Sequence, residues 1–392
     1  MSRPLTVMLV AGEASGDALG AGLARALRRR LGEGGVRFVG VGGAGMAREG
    51  VESPFDLAEV SVLGAVEGLM AYPRILRRVG DAARLAAREK PDIAVLIDSW
   101  GFTLRVAQRL RRQTPDLPLV KYVGPQVWAW RPGRARTLAR AVDHLLAIHT
   151  FDAPYFEAEG LATTFVGSSA LALDLSGADP DRLRAAIGAP PDQLILLVLP
   201  GSRPAEIERL SGVFEDAVHR LTTERPRLRV VVPAAATVAA QVKAKVGAWR
   251  SPAQVIEGDG LKFDAMKAAT VALACSGTVT SELAMAGCPM VIAYRTGEVG
   301  YQVLRLLVRL RFLTLFNIAA DQAIAPEFIQ HDCTGPKLAR AIAERLDDPA
   351  LRARQIAAQS AILAKMGRGG PNPAEVAADA IVKVLEERGG LR

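Results

Sequence analysis

Asp98 directly follows the apolar run Ile93–Ile97, and Arg203 closes the turn Pro200-Gly201-Ser202 behind a second apolar run, Gln193–Leu199. The two side chains suit opposite tasks. A carboxylate at the carboxyl end of a buried strand can take a proton from a hydroxyl, because partial desolvation lifts its proton affinity toward the working range. A guanidinium beside a glycine turn and a helix start can hold a diphosphate: Gly201 lets the backbone approach, Ser202 adds a hydroxyl, and free N–H groups point outward. Read alone, Asp98 also suits a cap on the next helix, and Arg203 an ordinary surface position.

Further residues sort onto the same two sides. Ser276-Gly277-Thr278 follows the run Val271–Cys275 and opens a helix that contains Glu282. It repeats the small-residue loop, and Glu282 is placed either to accept bonds from ribose hydroxyls or to compensate the helix dipole. The turn after Thr6–Val10 is glycine-rich in the manner of a nucleotide loop, yet it carries Glu13 and Asp17 around Ser15, and two carboxylates repel a diphosphate. With Asp98 they make an acidic, hydroxyl-binding side. Trp128 and Trp130 precede Arg131, Arg134 and Arg136, so an aromatic floor beside positive charge, or core packing, is the reading there.

These residues need strand ends to stand on. Apolar runs at Thr6–Val10, Arg37–Val41, Ile93–Ile97, Leu119–Val123 and His144–Ile148 alternate with amphipathic segments, and a second series runs through Gln193–Leu199, Arg229–Val232, Gln254–Ile256, Val271–Cys275 and Met290–Tyr294. Such alternation predicts an α/β chain with two parallel sheets, two Rossmann-like domains facing a cleft, with ligands at the carboxyl ends of the strands. The expected division is an acceptor-binding domain over 1–172, a linker over 173–192 and a nucleotide-binding domain over 193–345. Helices over 346–392 are expected to cross back to the first domain.

Composition narrows the class. Half of the 392 residues are hydrophobic, enough for two cores, and a net charge of +8 points to an anionic partner, whether nucleotide, nucleic acid or acidic lipid surface. The dispersed arginines match no recognised nucleic-acid reader motif. Cys275, Cys288 and Cys333 show neither even pairing nor metal spacing, and a reducing compartment is expected. His144, His149, His219 and His331 are scattered, so no metal or cofactor is expected; the one Asp-x-Asp, Asp179 to Asp181, reads as a helix cap. The N-terminal apolar stretch Val7–Ala11 is too short for an export signal. Leu63–Leu76 and Val299–Phe316, apolar stretches with interspersed or flanking arginines, suit contact with an anionic membrane, a core face or a dimer.

GEASGD at 12–17, YVGPQVWAWR at 122–131, LPGSR at 199–203, SGTVTSE at 276–282 and Phe316-Asn317 occur in this order. Through them nearly the whole chain resembles the lipid-A-disaccharide synthases, glycosyltransferases of the GT-B type. The resemblance implies transfer of 2,3-diacylglucosamine from its UDP donor to 2,3-diacylglucosamine 1-phosphate, with UDP released, in lipid A biosynthesis. It implies Asp98 as the catalytic base and Arg203, Glu282 and Asn317 at the donor. It also implies peripheral attachment to the cytoplasmic face of the inner membrane and a homodimer through the C-terminal region. Two stretches depart from the family. Asp98-Ser99-Trp100-Gly101-Phe102 stands where Asp-x-Pro-Asp-Phe is common, and Gly167-Ser168-Ser169 where Gly-His-Pro is. Another GT-B enzyme acting on a UDP-sugar, a 2-epimerase or a transferase with a soluble acceptor, is the alternative.

Overall fold

The computed structural model describes residues 3–61, 65–298, 301–302 and 311–389, with backbone alone at 65–70. The chain forms two compact units, Met1–Ser169 with Gly370–Arg392, and Ala170–Gly369.

The first unit carries β1 (Leu5–Ala11), β2 (Val36–Val41), β3 (Ile93–Ile97), β4 (Leu119–Tyr122), β5 (His144–Ala147) and β6 (Ala162–Phe165), all parallel, in the order β2-β1-β3-β4-β5-β6. β1 and β3 are buried along their whole length, as expected of strands covered on both faces, and this is why they read as unbroken apolar runs. The helix Ala14–Leu31 leads out of β1, and Trp100–Gln113 follows β3. The sheet order reverses between β1 and β3, so the turns after those two strands flank the switch point where α/β sheets bind ligands.

The second unit carries β7 (Ile195–Leu199), β8 (Arg229–Ala234), β9 (Gln254–Glu257), β10 (Val271–Cys275), β11 (Met290–Tyr294) and β12 (Glu327–Ile329), in the order β12-β11-β10-β7-β8-β9. Its switch point falls between β7 and β10, the two strands whose turns carry Gly201 and Ser276. The helices Pro204–Glu224 and Thr278–Met285 begin there. All three cysteines are buried.

Two strands exceed the predicted set. β6 (Ala-Thr-Thr-Phe) and the three-residue β12 are sheet edges with no fully buried residue, so neither carries an apolar run. The segment expected as a linker contains the helix Pro180–Ile187, whose Leu183 and Ile187 enter the core of the second unit. Within the expected C-terminal tail, Pro349–Lys365 puts Ile362 and Leu363 into that same core, while Pro373–Glu387 buries Ala377, Ala378, Ile381 and Leu385 against the first unit's sheet. Glu375 and Asp379 pair there with Arg29 and Arg30. The crossing is therefore one helix, because only that helix has an apolar face matched to the first sheet.

No helix among the described residues is long and apolar enough to cross a membrane. Much of Leu63–Leu76 and Val299–Phe316 lies outside the described residues. Of the parts that do not, Tyr72 and Leu76 are exposed and Phe316 is fully buried.

Candidate active site

Asp98 and Ser99 both adopt left-handed backbone, with φ of 50° and 39°. Each such residue costs of order 1–3 kcal/mol and persists only where its surroundings over-determine it. Here they do. The Asp98 N–H donates to the Tyr122 carbonyl at 2.9 Å, the Thr103 hydroxyl donates to the Asp98 carbonyl at 2.6 Å, and the Lys121 ammonium donates to that same carbonyl. Lys121 Nζ also meets Thr103 Oγ1 at 2.7 Å. The backbone is thus fixed from β4 and from the following helix, and the Asp98 carboxylate is left to accept a 3.0 Å bond from Ser15 Oγ.

Lys121 is the unexpected member. Only 2% exposed, it sits in β4 beneath the strand-end carboxylates. Burial drives its pKa down to about 7, even though Asp98 and Glu13 pull the other way. For Glu13, burial first and the Asp98 charge second raise its proton affinity above the usual carboxylate range, while Ser99 and Lys121 oppose them. Gly12 is required by the approach of the two turns, since a Cβ there would fall 2.5 Å from Ser99 Oγ. Glu13, Ser15 and Asp98 thereby come together at the switch point.

Asp17 does not join them. Its Oδ1 accepts from the Gly43 and Met46 amides at 2.7 and 2.9 Å, and its Oδ2 from the Gly45 amide at 2.7 Å. Expected on the acceptor side, it instead fastens the first helix to the turn after β2, because three free amides satisfy a buried carboxylate better than water can. Trp128 is likewise tied inward: its Nε1 donates to Asp152 Oδ1 at 2.9 Å and its ring packs edge-on to Phe151. Burial pushes Asp152 up to about 6, with the bonds from Trp128 and from the His149 amide opposing it. Trp130 is half-buried against Arg131 and Arg134.

In the second unit, a cavity of about 440 Å³ is lined by Gly201, Ser202, Arg203, Ser276, Gly277, Thr278 and Glu282. The two expected loops and the helical acid meet in one place. The loops differ. At the first, Glu206 curls back so that its Oε2 accepts from the Ser202 and Arg203 amides at 3.1 and 3.3 Å, and its Oε1 meets Arg203 Nη1 at 2.9 Å. Gly201 has φ of 122°, and a Cβ there would meet the Glu206 carboxylate at 2.7 Å. The second helix start has neither a side-chain cap nor an acid in its first turn, so its N–H groups face the cavity with the positive dipole end uncompensated.

Lys262 and Glu206 also line this cavity, and neither was singled out from the sequence. Glu282 Oε2 is buried without an aligned hydrogen bond; its neighbour is the Lys262 ammonium, 2.7 Å away, so charge compensates it. A Glu three residues beyond Arg203 at a helix start was the available signal for Glu206. Asn317 departs from its expected place at the donor. Fully buried, it donates to the Ala325 carbonyl and to Glu327, both at 2.8 Å, and accepts from the Ile324 and Ala325 amides. Those four bonds exhaust its ordinary capacity and brace the segment before β12. Among the described residues no cluster of three His, Cys, Asp or Glu is arranged to hold a metal ion.

The family model for lipid-A-disaccharide synthetase matches residues 7–381. The lipid-A-disaccharide synthase of Rhodospirillum centenum is 42% identical over 386 residues, 98% of this chain and 96% of that protein. That of Paramagnetospirillum magneticum is 43% identical over 385 residues, 98% of each. Among solved structures, a Staphylococcus aureus MnaA–UDP complex superposes with a TM-score of 0.62 at 15% identity, covering 99% of this chain and 98% of that one. Acinetobacter baumannii MurG superposes with a TM-score of 0.57 at 16% identity, covering 97% of this chain and 100% of that one. At such identities the structural likeness speaks for the fold.

Proposed function

We propose that this chain, which belongs to the lipid-A-disaccharide synthetase family, joins UDP-2,3-diacylglucosamine to 2,3-diacylglucosamine 1-phosphate, releasing UDP and lipid A disaccharide 1-phosphate. The transfer is a single displacement with inversion. Asp98 accepts the proton of the acceptor 6-hydroxyl as that oxygen attacks the anomeric carbon, and the bond from that carbon to the diphosphate breaks in the same step. The observation that carries this role is the bracing of Asp98: its backbone is pinned in a costly conformation by Lys121, Thr103 and Tyr122, while among the described residues its carboxylate is hydrogen-bonded only by a hydroxyl. A base needs that combination of fixed aim and exchangeable partner.

UDP belongs in the second unit's cavity. The uncapped start of Thr278–Met285 faces the departing diphosphate, and Arg203 joins it once its guanidinium leaves Glu206. Glu282 receives ribose hydroxyls. The acylated substrates and the net charge of +8 support work on an anionic surface, peripherally, at the cytoplasmic face of the inner membrane. A homodimer through the C-terminal region completes the reading, and sedimentation velocity tests it.

Incubation of the purified protein with both lipid substrates should give disaccharide 1-phosphate and UDP in equal amounts. UDP or free epimer without disaccharide would overturn the reading in favour of a 2-epimerase or hydrolase.

A further inference from the structure

The run from Trp130 to Arg136 holds three arginines with different surroundings. Arg136, on the exposed face of the helix Arg134–Ala139, pairs with Glu159 at 3.0 Å. Arg131 and Arg134 do otherwise. The Arg131 guanidinium carbon lies 4.0 Å from the centre of the Trp130 ring, and that of Arg134 lies 5.3 Å from the same ring and 5.0 Å from the centre of Trp100. A turn closed by the Arg134 N–H on the Arg131 carbonyl, at 3.0 Å, sets the two side by side. Among the described residues neither makes an ion pair, and the helix Trp100–Gln113 that supplies Trp100 has no acid in its first turn.

Two positive charges are therefore crowded against aromatic faces. Partial burial first and the Arg131 charge second hold Arg134 below the usual basicity of a guanidinium. Each guanidinium is held over an aromatic ring, so less ordering remains to be done when a ligand arrives, and its N–H groups are of the kind that make bidentate bonds. The ligand that best relieves such a pair is a compact dianion with several acceptor oxygens, a phosphate monoester.

We propose that Arg131 and Arg134, set on Trp130 and Trp100, seat the phosphate of the acceptor sugar and make that phosphate the feature by which the acceptor is chosen. The inference rests on the transferase reading above. Trp100 stands two residues after Asp98, so the ring that carries Arg134 and the proton acceptor share one strand-end turn. The donor's diphosphate has its own seat in the second unit.

The test compares 2,3-diacylglucosamine 1-phosphate with its 1-hydroxyl analogue in mixed micelles, for the native protein and for Arg131→Gln, Arg134→Gln and the double variant. The native protein should prefer the phosphorylated acceptor by about 100-fold or more in kcat/KM, and each single variant should lose about tenfold on that acceptor. The double variant should nearly erase the preference. The loss should appear in the acceptor KM, with kcat and the donor KM unchanged, as for binding shared by ground and transition states. Arg136→Gln should match the native protein, and unchanged Tm values in all variants separate lost recognition from lost fold. An active native protein that uses both acceptors equally, or a double variant that keeps the preference, overturns the clamp alone. A native protein that forms no disaccharide from either acceptor removes the transferase reading, and the clamp falls with it.

Discussion

The switch points of the two sheets are built to opposite specifications. After β1 and β3, the polar groups are answered from within: the Asp98 carbonyl by Lys121 and Thr103, Asp17 by three backbone amides. After β10, the helix start is left without a cap, and after β7 the amides are held by Glu206, a side chain able to swing away. A proton acceptor must be aimed before its substrate arrives, whereas an anion seat must keep its donors available. One sheet spends its hydrogen bonds on rigidity, and the other holds them in reserve.

The largest effect expected from breaking this contrast is at Asp98. Asp98→Asn should lower kcat by about 10²- to 10⁴-fold, the usual range for a lost general base, with UDP affinity by calorimetry unchanged. Full turnover would transfer the base role elsewhere. Next comes its support. Lys121→Met removes the charge and the two bonds beneath the turn, and should lower kcat by roughly 10²-fold, the scale of an ångström's misplacement, at constant donor KM.

The same lysine gives a pH signature. Its pKa in the folded state, about 7, lies below the ordinary lysine value of 10.5, so between those values the unfolded chain binds the extra proton. The contribution of Lys121 to stability should rise with pH across that window, so the urea midpoint of the native protein minus that of Lys121→Met should increase between pH 7 and 9.5. The difference cancels the buried thiols and phenols, whose raised pKa values act in the opposite sense. A difference between the two proteins that shrinks over this range would contradict the burial of a lysine there.

At the reserved side, effects should be smaller. Arg203, 79% exposed in its side chain and already paired with Glu206, should contribute modestly. Arg203→Ala should weaken UDP binding by about tenfold, or ~1.5 kcal/mol, the low end for a charged hydrogen bond. Glu206→Gln should strengthen UDP binding by about two- to fivefold, since a pair whose arginine end is 79% exposed is worth less than about 1 kcal/mol and its competing charge is gone. Weaker binding in Glu206→Gln would mean that the carboxylate orders the loop for the nucleotide instead of competing with it.

Eight of the ten predicted strands lie inside their sheets and were legible because parallel strands buried on both faces must be largely apolar; the edges β2 and β9 were read from shorter cues, and β6 and β12, half-covered edges, carry no such mark. The neighbourhoods of Asp98, Arg203, Ser276 and Glu282 followed from strand ends, a matter of position along the chain. What a side chain turns toward is not. Asp17 and Asn317 have the right types near the right ends, but free amides nearby claimed them. Lys121 left a trace that can be read in hindsight, a charge inside the apolar run Leu119–Val123 on which only a buried acidic neighbourhood has a use.

The helix Pro373–Glu387 completes the first unit with chain synthesised after the whole of Ala170–Gly369. On the ribosome, the nascent sheet that will carry Asp98 therefore keeps Leu23, Leu27 and Val95 short of their final cover until the second unit has been translated. Maturation then runs backward along the polypeptide, and a premature stop near residue 370 would spare the cavity of the second unit while crippling the half that carries Asp98.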